Sequence, residues 1–354
     1  MDDKFTFLKS LISTSGLSGF EAPVRQKVAA AWEPLTDEIN TSRLGSLHGL
    51  KTGSGEQPRD GILLAAHMDA IGLMVTSKVE GFLRVTEMGG IDGRVLPGQA
   101  VTVHGREELD GTITLPPKHL LPPHLHGRAV PLEYLLVDVG LFPSEVESKV
   151  QVGDLISFDQ PPIEMGKDIL AGHSLDNRAS VAAVTACLTI LRERTFEWNV
   201  WAAATVQEEE TFGGAYTSAF ELNPKLAVAI DVTHGAGPGT KEHMTVPFGK
   251  GPALGWGPNI HPALHEAFKM VAERFEIPHI LEPIPRHSGT DAFAMQVAAA
   301  GIPTMVISIP LRYMHTPVEM VVLKDITRAA RLLAEFIVEL DDGFMKKLAW
   351  DTEL

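Results

Sequence analysis

The sequence predicts an α/β fold in which a central mixed sheet is flanked by helices and interrupted by an inserted small all-β barrel domain. Three observations predict it. Uninterrupted apolar runs, Ile62–Ala66, Val200–Val206 and Leu226–Ile230, suit strands covered on both faces. Segments of helical periodicity such as Ala179–Arg194 alternate with them. Between Thr76 and Pro162 the character changes to short β-type runs separated by Gly and Pro, with no long helical pattern. The α/β unit is therefore expected to comprise residues 1–75 and 163–354, and the insert residues 76–162.

The elements follow in order. Phe5, Leu8, Leu11 and Ile12 recur at helical spacing, and after the turn Leu17–Glu21 a second helix is expected over Glu21–Leu35. Residues 40–60 are rich in Gly and Ser, with a short strand expected at Leu44–Gly49. The run from Gly61 to Val75 is apolar except at His67 and Asp69. Within the insert, Phe82–Met88, Ala100–Gly105, Gly111–Leu115, Tyr134–Gly140 and Asp154–Phe158 read as strands, around a Pro/His-rich loop at 116–134. The chain then alternates a helix from Ala179, with basic residues at its C-terminal end, and the strands at Asn199 and Leu226. Helices at His261–Phe275 and Phe293–Gly301, a strand at Ile302–Pro310 and a last helix at Asp325–Leu340 complete it. No internal repeat or low-complexity tract stands out.

Composition narrows the function. With 354 residues and 44% hydrophobic content the chain has material for a large core. Its net charge of −15 disfavours nucleic acid and anionic membrane as partners. The single cysteine, Cys187, rules out an intrachain disulfide and sits in an apolar segment as a core residue, so a reducing, cytoplasmic location is expected. The N-terminal stretch lacks the features of a signal peptide, and no segment approaches a membrane span.

Each apolar strand runs into residues that bind cations: His67 and Asp69, Asp176, Glu208 and Glu209, Asp231, and His315. Groups of this kind at the end of a buried strand need a partner or a metal. The acids Glu208–Glu210, taken alone, also suit the first turn of a helix. His67 and Asp69, two apart, are expected on one face of a strand, where the carboxylate can hold the imidazole in the tautomer a metal requires. Two divalent ions carry four positive charges; Asp176, Glu209, Asp231 and a bridging hydroxide carry four negative, so the set balances with open positions left for catalysis. One acid of the Glu208–Glu209 pair then remains for acid–base work. His124 and His126 read as surface-loop histidines, Asp291 as a helix cap or packing-loop residue rather than a catalyst, and the roles of His173, His234 and His287 stay open.

The stretches HMDAIGLMV, LDNRASVAA, VQEEE, AIDVTHG, SGTDAFA and PLRYMHTPVEM, in that order, resemble the cytosolic co-catalytic metalloaminopeptidases that include glutamyl aminopeptidase and the tetrahedral (TET) aminopeptidases, some of them labelled endoglucanases. The resemblance implies that His67 and Asp231 bind one metal, Glu209 and His315 the other, and that Asp176 bridges them. It implies Glu208 as general base, with Asp69 orienting His67. A zinc-exopeptidase-like catalytic domain and a homo-oligomer, the tetrahedral dodecamer, are implied in the same way.

The expected function is removal of N-terminal residues from peptides by a di-metal aminopeptidase carrying two zinc or cobalt ions per subunit, through a metal-bridging water activated by Glu208. Alternatives are a metal-dependent deacylase or carboxypeptidase on the same ligands, and a non-enzymatic scaffold stabilised by metal. A glycosidase needs two carboxyls flanking one bond, whereas these acids fit better as a ligand set with His67 and His315.

Overall fold

The computed structural model describes residues 2–241 and 244–349, and side chains from residue 6 onward. Two helices open the chain, α1 (Asp2–Ile12) and α2 (Ala22–Trp32), followed by β1 (Glu38–Thr41), β2 (Leu47–Lys51) and β3 (Gly61–His67). The side chain of Phe5 lies outside the described residues, but Leu8, Leu11 and Ile12 are buried as their spacing predicts. Proline at the start of α2 leaves no helical donor wasted, and Val24, Val28 and Trp32 form its buried stripe. The Trp32 indole N–H reaches Thr185 Oγ1 at 2.8 Å and ties α2 to the helix beneath the sheet.

The chain then enters a closed barrel of β4 (Gly72–Val79), β5 (Phe82–Met88), β6 (Ala100–His104), β7 (Glu108–Thr114), β8 (Leu136–Asp138) and β9 (Leu155–Phe158), in the order β4-β5-β8-β7-β6-β9. Closure removes the exposed strand edges that such short strands would otherwise present. The expectation of an all-β insert needs one correction. Pro143–Lys149 forms a helix, α3, begun by Pro143 and by the Glu145 side chain, which accepts the Phe142 N–H at 3.1 Å.

The return passes through β10 (Ile163–Met165), β11 (Ile169–Gly172), α4 (Leu175–Leu191), β12 (Asn199–Thr205), α5 (Glu208–Thr211), α6 (Gly213–Leu222), β13 (Leu226–His234), β14 (Ala253–Trp256), α7 (Pro262–Arg274), β15 (Ile280–Pro283), α8 (Asp291–Gln296), β16 (Thr304–Arg312), β17 (Glu319–Val322), α9 (Leu323–Val338) and α10 (Phe344–Lys347). The main sheet runs β1-β2-β12-β3-β13-β16-β17-β11-β10, with β14 and β15 as an arm attached to β16. β12, β3, β13 and β16 pair in parallel at its centre, so their apolar runs are covered on both sides. Helices flank the sheet in two groups: α4 with α9 and α1, and α6 with α8.

Two apolar cores without a shared residue match the two architectures, one around the large sheet and one inside the barrel. The small side chains Ala179, Ala183 and Ser180 let α4 lie largely buried, with Thr189 exposed near its end, and α9 turns Ile326, Ala329, Ala330, Leu333 and Ile337 inward. Phe268 and Phe336 stack with centroids 3.8 Å apart where α7 meets α9. No helix of the described residues is long and apolar enough to cross a membrane.

Several elements differ from expectation. The strand expected at Leu44–Gly49 is Leu47–Lys51, and it forms a hairpin with Glu38–Thr41, which sequence patterning does not announce. Helix α6, the β14–β15 arm and β17 are likewise unannounced. The helix expected from Phe293 to Gly301 begins at Asp291 and stops at Gln296, before Ala299 takes a left-handed φ of 50°.

Candidate metal centre

The central parallel strands end together, and side chains gather beyond their carboxyl ends, where open α/β sheets place ligands. β3 terminates at His67, β13 carries Asp231, and α4 begins at Leu175–Asp176. After β12 the chain passes through Gln207 in a left-handed conformation, φ 59°, and turns at once into α5. Glu208 and Glu209 therefore sit in a helical first turn rather than at a strand end. Asp69 is likewise beyond its strand, which stops at His67, so the shared-strand-face expectation is corrected.

Asp69 nevertheless lies beside His67, and it reaches further. Its Oδ1 stands 3.4 Å from His67 Nδ1. It accepts the backbone N–H of Glu208 at 3.1 Å and of Glu209 at 3.2 Å, together with the Ser18 hydroxyl. One fully buried carboxylate thus lies against a histidine and holds the start of the acid-bearing helix. Burial opposes its ionisation, but His67, Ser18 and the Glu208 N–H outweigh that and hold its pKa below the ordinary value.

His67 Nε2 faces three carboxylates: Asp176 Oδ1 at 3.2 Å, Glu208 Oε2 at 3.6 Å and Asp231 Oδ1 at 3.9 Å. His315 Nε2 faces Glu209 Oε2 at 3.4 Å and Asp176 Oδ2 at 3.7 Å. Asp176 thus turns one oxygen to each histidine. All seven predicted site residues are brought together, and donor atoms of His67, Asp176 and Glu209 lie within 4.8 Å of one another, as do those of His67, Glu208 and Asp231.

The electrostatics favour a cation. Burial, then repulsion from neighbouring acids, pushes Glu208, Glu209 and Asp231 well above the ordinary carboxylate range, with His67 opposing. Burial would lower His67, yet Glu208, Asp176 and Asp69 drive it well above the usual histidine value. Among the described residues these acids form ion pairs with the two histidines alone. The nearby guanidinium of Arg178 is buried and donates to the carbonyls of Leu11, Thr14, Gly16 and Met68. Such a concentration of negative charge keeps its protons or binds metal, and two imidazoles set among hard oxygen donors suit a divalent ion.

Sequence reasoning missed the supports. Glu319, 1% exposed, accepts the Asp176 N–H at 3.0 Å on Oε2 and the His315 N–H at 3.1 Å on Oε1. Asn177 Nδ2 donates to Ile230 O at 2.9 Å and pins the start of α4 to β13 beside Asp231. Thr290, not Asp291, caps α8; Asp291 is buried, accepts the Thr205 hydroxyl at 2.5 Å, and is pushed up to about 6 by burial. The quoted HTPVE and SGTDAFA stretches contained Glu319 and Asp291, but nothing in their spacing declared these partners. His173 is buried edge-on against Phe158, His234 is exposed at the end of β13, and His287 packs against Phe293. In the Pro/His-rich loop, the His126 ring lies 3.1 Å from the carbonyl of Leu121.

Residues 45–332 match the M42 glutamyl aminopeptidase family. The chain belongs to that family. Lysyl aminopeptidase from Pyrococcus furiosus is 32% identical over 94% of this chain and 96% of its own length. A TET aminopeptidase from a marine sediment Thaumarchaeota archaeon superposes with a TM-score of 0.93 at 31% identity, covering 98% of this chain and 99% of that one. TET1 peptidase of Pyrococcus horikoshii, described as assembling into a tetrahedron or a large octahedral shell, gives a TM-score of 0.83 at 29% identity over 96% of this chain and all of its own. An M42 chain with this site is a metal-dependent peptide hydrolase of the aminopeptidase kind.

Proposed function

We propose that the chain is a di-metal aminopeptidase in which His67 and Asp231 hold one divalent ion, Glu209 and His315 the other, and Asp176 bridges them. The observation that carries this reading is the division of the Asp176 carboxylate, Oδ1 toward His67 and Oδ2 toward His315. Zinc or cobalt suits the mixed nitrogen and oxygen donors. When bound, the ions polarise the scissile carbonyl and make a water acidic enough to attack near neutral pH.

Glu208 is the general base in this reading. It is buried and lies on the His67 side of the centre, while Glu209 lies on the His315 side. It takes a proton from the attacking water and returns it to the leaving amine. Asp69 orients His67 through Nδ1 and holds the Glu208 backbone, so the base and a ligand share one brace.

The inserted unit, expected at 76–162, begins with barrel strand β4 at Gly72, so it spans 72–162 and residues 1–71 and 163–354 form the catalytic unit in this reading. The shells described for TET1 peptidase support a homo-oligomer, and the single cysteine, Cys187, buried and free, accords with a cytoplasmic enzyme acting on peptides. The test is a comparison of peptides bearing a free N-terminal amine with their N-acetylated forms, with and without chelator. Chelator-sensitive cleavage of the free-amine peptides alone is expected. Preference for acylated substrates would replace this reading with a deacylase, and activity unaffected by chelation would remove it.

A further inference from the structure

Glu210, the third of the consecutive acids, is exposed and turns away from the centre to the inserted barrel. Its Oε1 accepts the backbone N–H of Gly89 at 2.6 Å. Gly89 follows directly on β5 and has φ +75°, and a Cβ there would stand 2.5 Å from Ile71 Cγ2. At Gly90 a Cβ would stand 2.9 Å from His315 Nδ1 and 3.3 Å from its Cε1. Two residues on, the Asp92 N–H donates to the His315 carbonyl at 3.3 Å.

The barrel loop therefore lies flush against the back of an imidazole whose front faces Asp176 and Glu209. His315 needs such support. It has a left-handed φ of 61°, and its side chain is 38% exposed where that of His67 is 2% exposed. A half-exposed ring is free to turn unless something packs behind it, and backbone at a glycine is the closest wall available.

We infer that the inserted barrel completes the outer half of the metal centre, with Glu210 as a positioning residue that docks Gly89–Gly90 behind His315. The inference rests on the two-ion reading above. It also gives the insert a role at the reaction site, through two hydrogen bonds from its backbone and the close approach of Gly90.

The experiment is a calorimetric titration of chelator-stripped full-length protein with Zn²⁺, with metal content measured after dialysis. Wild type is expected to take up two ions. Glu210→Ala should bind the first as wild type does and the second about 10-fold to 100-fold more weakly. Glu210→Gln keeps an acceptor oxygen for the Gly89 N–H and should restore the second ion. Gly90→Ala, which thrusts a methyl at the ring, should lose the second ion as His315→Ala does; if it does not fold, the two Glu210 variants decide. Wild-type affinity for both ions in Glu210→Ala overturns the inference, as does a Gln variant as weak as the Ala variant. Fewer than two ions in the wild type overturns the two-ion reading and this inference together, whereas free-amine cleavage by a two-ion wild type alongside an unaffected Glu210→Ala overturns the inference alone.

Discussion

One carboxylate oxygen of Glu319 accepts the backbone N–H of Asp176 at 3.0 Å, so the acid that faces both histidines is held by an acid that faces neither. The other oxygen holds His315 in the same way, which couples two loops distant in sequence. Glu319→Gln replaces one acceptor with a donor and sets it against a buried N–H, a cost of about 1–3 kcal/mol. A lower thermal midpoint and weaker zinc binding are expected by scanning calorimetry with and without zinc. A midpoint and zinc response equal to wild type would show that the two hydrogen bonds carry nothing.

Asp69 gathers His67, Ser18 and the first turn of α5 around one carboxylate. Asp69→Asn presents an amide where only acceptors fit. Loss of about 10-fold to 100-fold in metal affinity or turnover is expected, measured as zinc dissociation against kcat. A variant indistinguishable from wild type in both would remove the orienting role.

The metal-free protein should lose stability as pH rises above neutral. Burial and neighbouring acids hold Glu208, Glu209, Asp231 and Glu319 well above the ordinary carboxylate range, and Asp291 is pushed up to about 6. A carboxyl raised in the folded state binds more protons folded than unfolded, so stability falls from its unfolded pKa upward. His67 is raised by its carboxylate neighbours despite burial, and its contribution, full below the unfolded value, is lost as pH rises through the folded one. Asp69, lowered, acts oppositely, but only at acid pH, where its stabilisation is lost. His48, His173, His261 and His265, all lowered chiefly by burial, act the other way below about pH 6.5, so chelator-treated protein is expected to melt lower at about pH 9 than at about pH 7, and added zinc to erase most of the difference. A midpoint that rises over that range in the chelated protein would contradict the raised values.

The central sheet was legible because Ile62–Ala66, Val200–Val206 and Leu226–Ile230 are apolar runs of strand length, as strands covered on both faces carry. The candidate site was legible because two of these runs stop at His67 and Asp231 and the third is followed, after Gln207, by Glu208 and Glu209. Helix α6 was hidden by its opening Gly213–Gly214, which reads as a turn, and by a buried side made of Gly214, Ala215, Ser218 and Ala219 rather than larger apolar residues. The β14–β15 arm consists of two four-residue strands far apart in sequence, whose pairing depends on tertiary contacts. Glu319 and Arg178 were hidden for a different reason. Charged residues are normally exposed, and nothing local marks Arg178, whose carbonyl partners lie 110 or more residues away, or Glu319, whose Asp176 partner lies 143 residues away.

Removing the Glu208 carboxylate while keeping the ligands tests the division of labour between the adjacent acids most directly. Metal content and kcat of Glu208→Gln are measured on the same preparation. Two ions per subunit with a rate several orders of magnitude below wild type is the expected result, because the side chain keeps its volume and loses only the proton acceptor. Near-normal turnover, or loss of a metal together with activity, would contradict the assignment of Glu208 as base and Glu209 as ligand.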